Sequence, residues 1–390
     1  MTTLQTADKV LKDYYLDVIQ EQMNKGMGVF YSMIDKTSEY VYGKEVKKIL
    51  NCGGKNYLSA LEENADLPSA YESEYDVITL PLKNFYAKIE ISDKALRASG
   101  DNSGSVVNLL NAEMEGLLSS AKDEFGKMLF EGSGYTVATV VKQSLTPGFV
   151  YLDSIERIEV GKYYYVFSDD VTLNSSVNQI FVTAIDPIDK TIMVEEGGTI
   201  EKGARICSSI PSYNKPSVYL TGLFDLLGDV DTVYGLSKND KKWINTNKMT
   251  ITAEPTIEDI QTMIDEIEKA SGEAPNIIIC SFETRRMLQK AFAEKHINCD
   301  PMVLDGGYRA ISYCGIPIVV DKFCQNNCVY FLNTNYFKIC QLCDWEWLSD
   351  DDGRILKQVP NKAAYTATLV KYAELLCEKP CAQGRLKIKV

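Results

Sequence analysis

The chain has 390 residues, 45% of them hydrophobic and 24% charged, which at roughly 100–200 residues per domain is material for two to three globular domains. Its formal net charge of −13 repels phosphate and argues against wrapping nucleic acid over a broad face. The start "MTTLQTADKVLKDYYLD" has no apolar signal core, no stretch reaches the roughly 18 apolar residues that span a bilayer, and the 11 cysteines follow no secretory spacing; a soluble protein with free thiols, made in a cytoplasm, is expected.

In chain order, residues 8–23 set Val10, Leu11, Tyr14, Tyr15, Val18 and Ile19 at helical spacing, and "NKGMG" ends that helix. From Cys52 to about Leu82 the pattern weakens into Gly, Pro and acids with isolated aromatics, which predicts an extended segment or long hairpin without a core of its own. "FYAKIEIS" (85–92) alternates as a strand. "SVVNLLNAEMEGLLSSAKDEFGKMLF" then repeats apolar residues at 106, 110, 114, 117, 121, 125 and 128, one stripe along a helix of about 39 Å, and "EGSG" stops it. Residues 146–216 change character. Short β-branched and aromatic runs ("KYYYVFS", "QIFVTAIDP", "KTIMVEEG") separated by turn residues predict a compact all-β insertion of four to six strands.

Helix and strand alternate after that. Thr256 caps "IEDIQTMIDEIEKASG" with Asp259 three residues on, "NIIIC" is a buried strand, and Ser281 caps "FETRRMLQKAFAEK". "GIPIVVD" and "CVYFLNT" are further strands, giving helices packed on a sheet. The tail "AAYTATLVKYAELLCEKPCAQGRLKIKV" alternates throughout and predicts one long closing strand.

Catalytic patterns are weak. The single histidine, His296, ends a helix three residues from Cys299, the only nucleophile–base pair on offer; a lone helix-end histidine is the plainer reading. There is no phosphate-binding glycine motif, "GDNSG" (100–104) reads as a turn before a helix, and "SDDDGR" lacks calcium-loop spacing. "KNDKKW" (238–243) reads as a solvated turn. Cys324, Cys328, Cys340 and Cys343 have zinc-like spacing, but strand parity turns Cys340 and Cys343 to opposite faces, so small buried hydrophobes is the expectation. No catalytic, cofactor or metal residue is assigned. The singled-out residues are structural: Gly306 and Gly307, then Gly315, which lets the backbone bend, and Pro317, which fixes φ at a strand start.

The order of these features resembles the major capsid proteins of tailed bacteriophages, the Hong Kong 97-like fold, over residues 50–145 and 217–390. "ISDKALRAS", the long helix and "MLFEGSG" resemble that family's spine helix and the loop after it. "GGYRAISYCGIPIVVDKF" with "VYFLNTNYF" resembles its glycine-pair and Gly-x-Pro strand region, and "YTATLVKYAELLCEKPCAQGRLKI" its closing strand. The resemblance implies an α+β fold laid out as N-terminal arm (1–50), extended E-loop (51–84), P-domain with spine helix (85–145), P-domain return (217–256), A-domain (257–344) and closing P-domain strands (345–390), with 146–216 as an inserted β-barrel-like domain beyond the minimal fold. It further implies self-assembly into pentamers and hexamers of an icosahedral head enclosing double-stranded DNA without sequence-specific binding. Scaffolding, portal and decoration proteins are the implied partners, with no cofactor and no membrane, in a virion assembled in the bacterial cytoplasm. No charged, helical scaffolding segment precedes the arm, which implies a separate scaffold or a mature chain. An encapsulin-like compartment shell, usually shorter and without such an insert, is the alternative; a thiol hydrolase using Cys299 and His296 is a distant third.

Overall fold

The computed structural model describes residues 27–51, 75–94, 103–132, 136–143, 148–155, 158–168, 177–195, 200–207, 219–228, 232–238, 241–295, 301–303, 309–349 and 355–388. The helix expected at 8–23, the segment 52–74, His296, Cys299, Gly306, Gly307 and the acids of "SDDDGR" lie outside them.

Two sheets share one core. The first is seven-stranded, in the order Asn247–Ile251, Gly384–Ile388, Cys328–Leu332, Ile277–Cys280, Ile316–Val320, Arg309–Tyr313, Pro301–Val303. Its central strands are apolar on both faces because both are covered. Ile278, Cys280, Ile318, Val329 and Phe331 pack under the helices Ile257–Ser271 and Phe282–Glu294. Ile277, Ile279, Val319, Tyr330 and Leu332 face the other way, into the main core. Both helices start as their sequences predict. Thr256 accepts from Asp259 N while the Asp259 carboxylate accepts from Thr256 N at 2.8 Å, Ser281 Oγ accepts from Thr284 N, and Gly272 ends the first helix at φ 77°.

The second sheet is five-stranded. Ala364–Cys377 lies between Lys83–Ser92 on one side and Phe337–Trp347 with Lys357–Gln358 on the other, and Asp35–Thr37 adds to Phe337–Trp347 in parallel. The long helix, Ser103–Glu131, packs on it through Met114, Leu118, Phe125, Leu129 and Phe130.

The all-β unit is a closed barrel of six strands: Thr191–Val194, Phe149–Leu152, Thr136–Lys142, Arg205–Cys207, Tyr163–Phe167 and Gln179–Asp186. Closure removes exposed strand edges. Its core of Val140, Val150, Val166, Val182, Ile192, Ile206 and neighbours draws, among the described residues, on positions 137–206 alone. A chain of residues 136–207 expressed alone should therefore show β-type circular dichroism and a cooperative thermal transition; a random-coil spectrum would sink this reading.

Four features differ from the sequence reading. The barrel takes its first strand from Thr136–Lys142, ahead of residue 146: the Pro147-Gly148 pair, which suggests a boundary, falls within the unit, between this strand and Phe149–Leu152. The closing segment is two strands in different sheets, Ala364–Cys377 and Gly384–Ile388, separated by a 3₁₀ turn at Pro380–Ala382; alternation continues through both, and period alone does not mark a change of sheet. The seven-stranded sheet accordingly takes Asn247–Ile251 and Gly384–Ile388 from outside 257–344, while Phe337–Trp347 leaves it for the other sheet. Finally, residues 27–34, expected to belong to a reaching arm, are core: Met27, Val29, Phe30, Tyr31 and Ile34 are buried, and Phe30 meets the rings of Phe130 and Phe337 at 5.7 and 5.3 Å. Asp321 holds this segment by accepting from Phe30 N at 3.2 Å, and Gly28, at φ 92°, passes so close that a Cβ would sit 2.5 Å from the carboxylate. A four-residue helix is too short to declare itself by period.

Candidate assembly surface

The antiparallel hairpin Glu45–Asn51 with Tyr75–Pro81 is two-faced because side chains alternate along each strand. On one face Val46, Ile78 and Leu80 are buried against Cys340 and Leu376, with Tyr234, Leu236 and Trp243 alongside. Asp76 fastens this face by accepting from Trp243 Nε1 at 2.9 Å and by pairing with Lys241. Lys48 pairs with Glu378 at 3.1 Å and lies 3.7 Å over the Tyr40 ring. On the opposite face the directly paired Ile49 and Val77 are 66% and 51% exposed, and Tyr75 is 63% exposed. Tyr42, in the neighbouring strand Val41–Tyr42, is exposed as well. Own-subunit packing uses one face of the hairpin and leaves Ile49, Val77 and Tyr75 exposed on the other, which they share with Thr79 and the Lys47–Glu45 ion pair. Such patches mark interaction sites.

Under the long helix lies a polar cluster. Lys371, fully buried, donates to Asp344 Oδ1 at 2.6 Å and Gln341 Oε1 at 2.7 Å, and Lys36 donates to Asp344 Oδ2 at 3.3 Å. The Phe125 and Trp345 rings lie 5.7 and 5.6 Å from Lys371 Nζ. Burial lowers the Lys371 pKa to about 8, with Asp344 pulling the other way. Asp344 itself stays below the usual carboxylate range: burial would raise it, and the Lys371 charge and hydrogen bond more than offset that. Each strand contributes to a closed set of donors and acceptors that ties Asp35–Thr37, Phe337–Trp347 and Ala364–Cys377 together beneath Phe125.

The singled-out turn residues are accounted for as follows. Cys314 and Gly315, at φ 49° and 81°, make the two-residue turn between Arg309–Tyr313 and Ile316–Val320, and this left-handed pair is what a tight hairpin of right-handed twist requires. Pro317 is the second residue of its strand and pairs with Ser312. The four cysteines of zinc-like spacing are not gathered: Cys324 and Cys328 sit in the main core, Cys340 under the hairpin, and Cys343 half-buried in the five-stranded sheet. Among the described residues no group of three or more His, Cys, Asp and Glu is placed to hold a metal. "KNDKKW" departs from its reading as a solvated turn. Lys238 is buried and donates to the carbonyls of Leu226 and Gly228, while Lys241 and Trp243 grip Asp76. Sequence reasoning missed these anchors, and Lys371 and Glu374 too. The available signal was a pair of charges inside the otherwise apolar run "ATLVKYAELLC".

No family model matches the chain, and no curated protein matches its sequence. Solved structures do. The capsid asymmetric unit of cyanophage A-1(L) superposes with a TM-score of 0.56 at 10% identity, over 92% of this chain and 91% of that one. The chain has the Hong Kong 97-like capsid fold. The capsid of an empty GTA particle follows at a TM-score of 0.48 and 11% identity, over 94% and 91%. The holo-SrpI encapsulin complex from Synechococcus elongatus gives 0.46 and 8%, over 91% and 85%. No helix among the described residues is long and apolar enough to cross a membrane.

Proposed function

We propose that this chain is the major capsid protein of a tailed bacteriophage, a structural protein that assembles into pentamers and hexamers and closes an icosahedral head around double-stranded DNA. The observation that carries the reading is the likeness to the cyanophage capsid subunit over nine-tenths of both chains. The exposed Ile49, Val77 and Tyr75 of the hairpin support it, since a shell subunit keeps apolar surface in reserve for neighbours. In this reading the hairpin and residues 52–74 are the E-loop, Ser103–Glu131 the spine helix, the five-stranded sheet the P-domain and the seven-stranded sheet with its two helices the A-domain. The barrel is an insert between spine helix and P-domain return. A scaffolding protein, a portal and a decoration protein are the proposed partners. Contact with DNA is through packing and not base readout, in keeping with a net charge of −13. The chain acts as wall and not as enzyme, in a virion put together in the host cytoplasm.

Negative-stain microscopy of the expressed chain, with and without its scaffold, tests the proposal. Closed shells built of pentamers and hexamers are expected. Shells loaded with an enzyme cargo would transfer the reading to an encapsulin-like compartment. A chain that stays monomeric by light scattering at all salt and protein concentrations, scaffold supplied, would refute a shell function altogether.

A further inference from the structure

The polar cluster under the long helix holds an amine, an acyl group and a proton carrier in one dry place. Lys371, on the central strand Ala364–Cys377, has no side-chain surface in water. Its Nζ donates at 2.7 Å to Oε1 of Gln341 and at 2.6 Å to Oδ1 of Asp344, both on the neighbouring strand Phe337–Trp347. The rings of Phe125 and Trp345 stand 5.7 and 5.6 Å from Nζ, and Tyr31 meets Phe125 edge-on at 5.8 Å. Phe125 belongs to the helix Ser103–Glu131, which roofs the site. Lys36 donates to the other oxygen of Asp344 at 3.3 Å. The Gln341 carbonyl carbon lies one C=O bond, about 1.2 Å, beyond Oε1. The last torsion of a glutamine side chain is soft. A small swing of the amide therefore turns the hydrogen bond into the roughly 3–3.5 Å approach from which an amine attacks.

Two acyl groups face the amine, and they are not equal. Burial would raise the Asp344 pKa, but Lys371 and Lys36 hold it as a carboxylate, whose carbon resists attack. Gln341 is a neutral amide and the better acceptor. We propose that Lys371 and Gln341 join in an isopeptide bond within the subunit, with Asp344 carrying the protons. Asp344 takes a proton from the Lys371 ammonium, and the freed Nζ lone pair attacks the Gln341 carbonyl carbon. Asp344 passes that proton to the amide nitrogen and takes a second one from Nζ. The old C–N bond then breaks, and ammonia leaves with the second proton as ammonium. An ammonium side chain and a primary amide go in; a secondary amide and an ammonium ion come out. Atoms and charge balance, and nothing is oxidised or reduced. Geometry brings the groups together, and the state of the amine agrees with it. Burial, opposed by Asp344, lowers the Lys371 pKa to about 8, so about a tenth of it is neutral amine at pH 7. The exclusion of water keeps hydrolysis from competing. The bond would fasten the central strand to its neighbour beneath the long helix and, like a disulfide, would restrict the unfolded chain. The inference does not depend on the capsid reading and is tested on the unassembled chain.

Intact-mass spectrometry of the full-length, folded chain is the test. The wild type should weigh about 17 Da less than its sequence dictates, the loss of one ammonia. After proteolysis, fragment spectra should show the peptide that carries Gln341 joined through Lys371 to the peptide of the central strand. Gln341→Met, which keeps the length of the side chain and removes the acyl group, should have its full sequence mass and melt several degrees lower. Asp344→Ala, followed in time after cell-free synthesis, should gain the bond about a hundredfold more slowly than the wild type. A wild-type chain at its full sequence mass, or a loss of ammonia that persists in Gln341→Met, overturns the bond. A loss of water traced to Lys371 and Asp344 overturns Gln341 as the acyl group, and bond formation at wild-type speed in Asp344→Ala overturns the role of the carboxylate. The wild-type mass decides the matter even if neither variant folds.

Discussion

Replacing residues 52–74 by a short Gly-Ser turn should give a subunit that folds with near wild-type stability and no longer closes shells. The cut spares the contacts by which the described hairpin residues hold to the rest of the subunit. Val46, Ile78 and Leu80 still cover Cys340 and Leu376, and Asp76 still accepts from Trp243. A deletion carried on to residue 84 would be a different experiment. It would strip that cover and take Lys83 from Glu374, and so would unfold the local structure as well as block assembly. Burial of Ile49, Val77 and Tyr75 against a neighbour is worth about 1.5–3 kcal/mol for each side chain, a term repeated at every subunit contact of a shell. A companion variant with Ile49→Asp and Val77→Asp leaves the chain length untouched and should fail in the same way, with an unchanged monomer melting temperature. Normal closed shells from either protein would show that this face is not the intersubunit clamp.

Gly222→Ala is expected to cost far more than an ordinary glycine-to-alanine change. Gly222 and Gly132 pass each other where the chain leaves the long helix for the barrel and where it comes back. A Cβ on Gly222 would sit 2.6 Å from the Met128 carbonyl oxygen and closer still to Gly132 N, both backbone atoms that cannot step aside. Backbone overlap of this kind belongs to the tail of point substitutions that cost about 4 kcal/mol or more. Gly384→Ala is the control. Its Cβ would meet Ile267 Cδ1 and Met263 Cε at 2.7 Å, the far ends of flexible side chains, and the overpacking should cost about 1–3 kcal/mol. Denaturant unfolding of the two variants checks the order. If Gly222→Ala is no worse than Gly384→Ala, the crossing at the root of the barrel is softer than its geometry implies.

How far the fold was readable depended on how local its causes were. The helices Ile257–Ser271 and Phe282–Glu294 were legible at their caps, because a capping box at Thr256–Asp259, a cap at Ser281 and a left-handed Gly272 are set by neighbours in sequence. The long helix was legible in place, although its buried face, with Leu118, Leu129 and Phe130, lies slightly off the stripe drawn by strict spacing. The candidate surface was legible only as a segment without a core. Which residues of the hairpin face outward depends on Cys340 and Leu376, some 260 or more positions away in the chain. Lys238 and Lys241 read as a solvated turn because a charged run without context is usually that; one donates to the Leu226 and Gly228 carbonyls and the other holds the hairpin.

By itself, the sequence determined the class of the protein: an acidic, thiol-rich α+β chain with one long amphipathic helix, capped helices over apolar strands, and an inserted β unit, in an order that resembles a capsid subunit. Only the tertiary structure decided which strand joins which sheet. Ala364–Cys377 and Gly384–Ile388 alternate alike and differ only in their partners, and a partner is a long-range fact. Only the tertiary structure, too, could bring Glu374, Lys83 and Thr221 to one point or lay Ile49 beside Val77 on a face without cover. The physical reason is the same in each case: caps and periods are fixed by a few adjacent residues, whereas burial, and with it the energetic weight of a charge or an apolar side chain, is fixed by whatever the rest of the chain places against it.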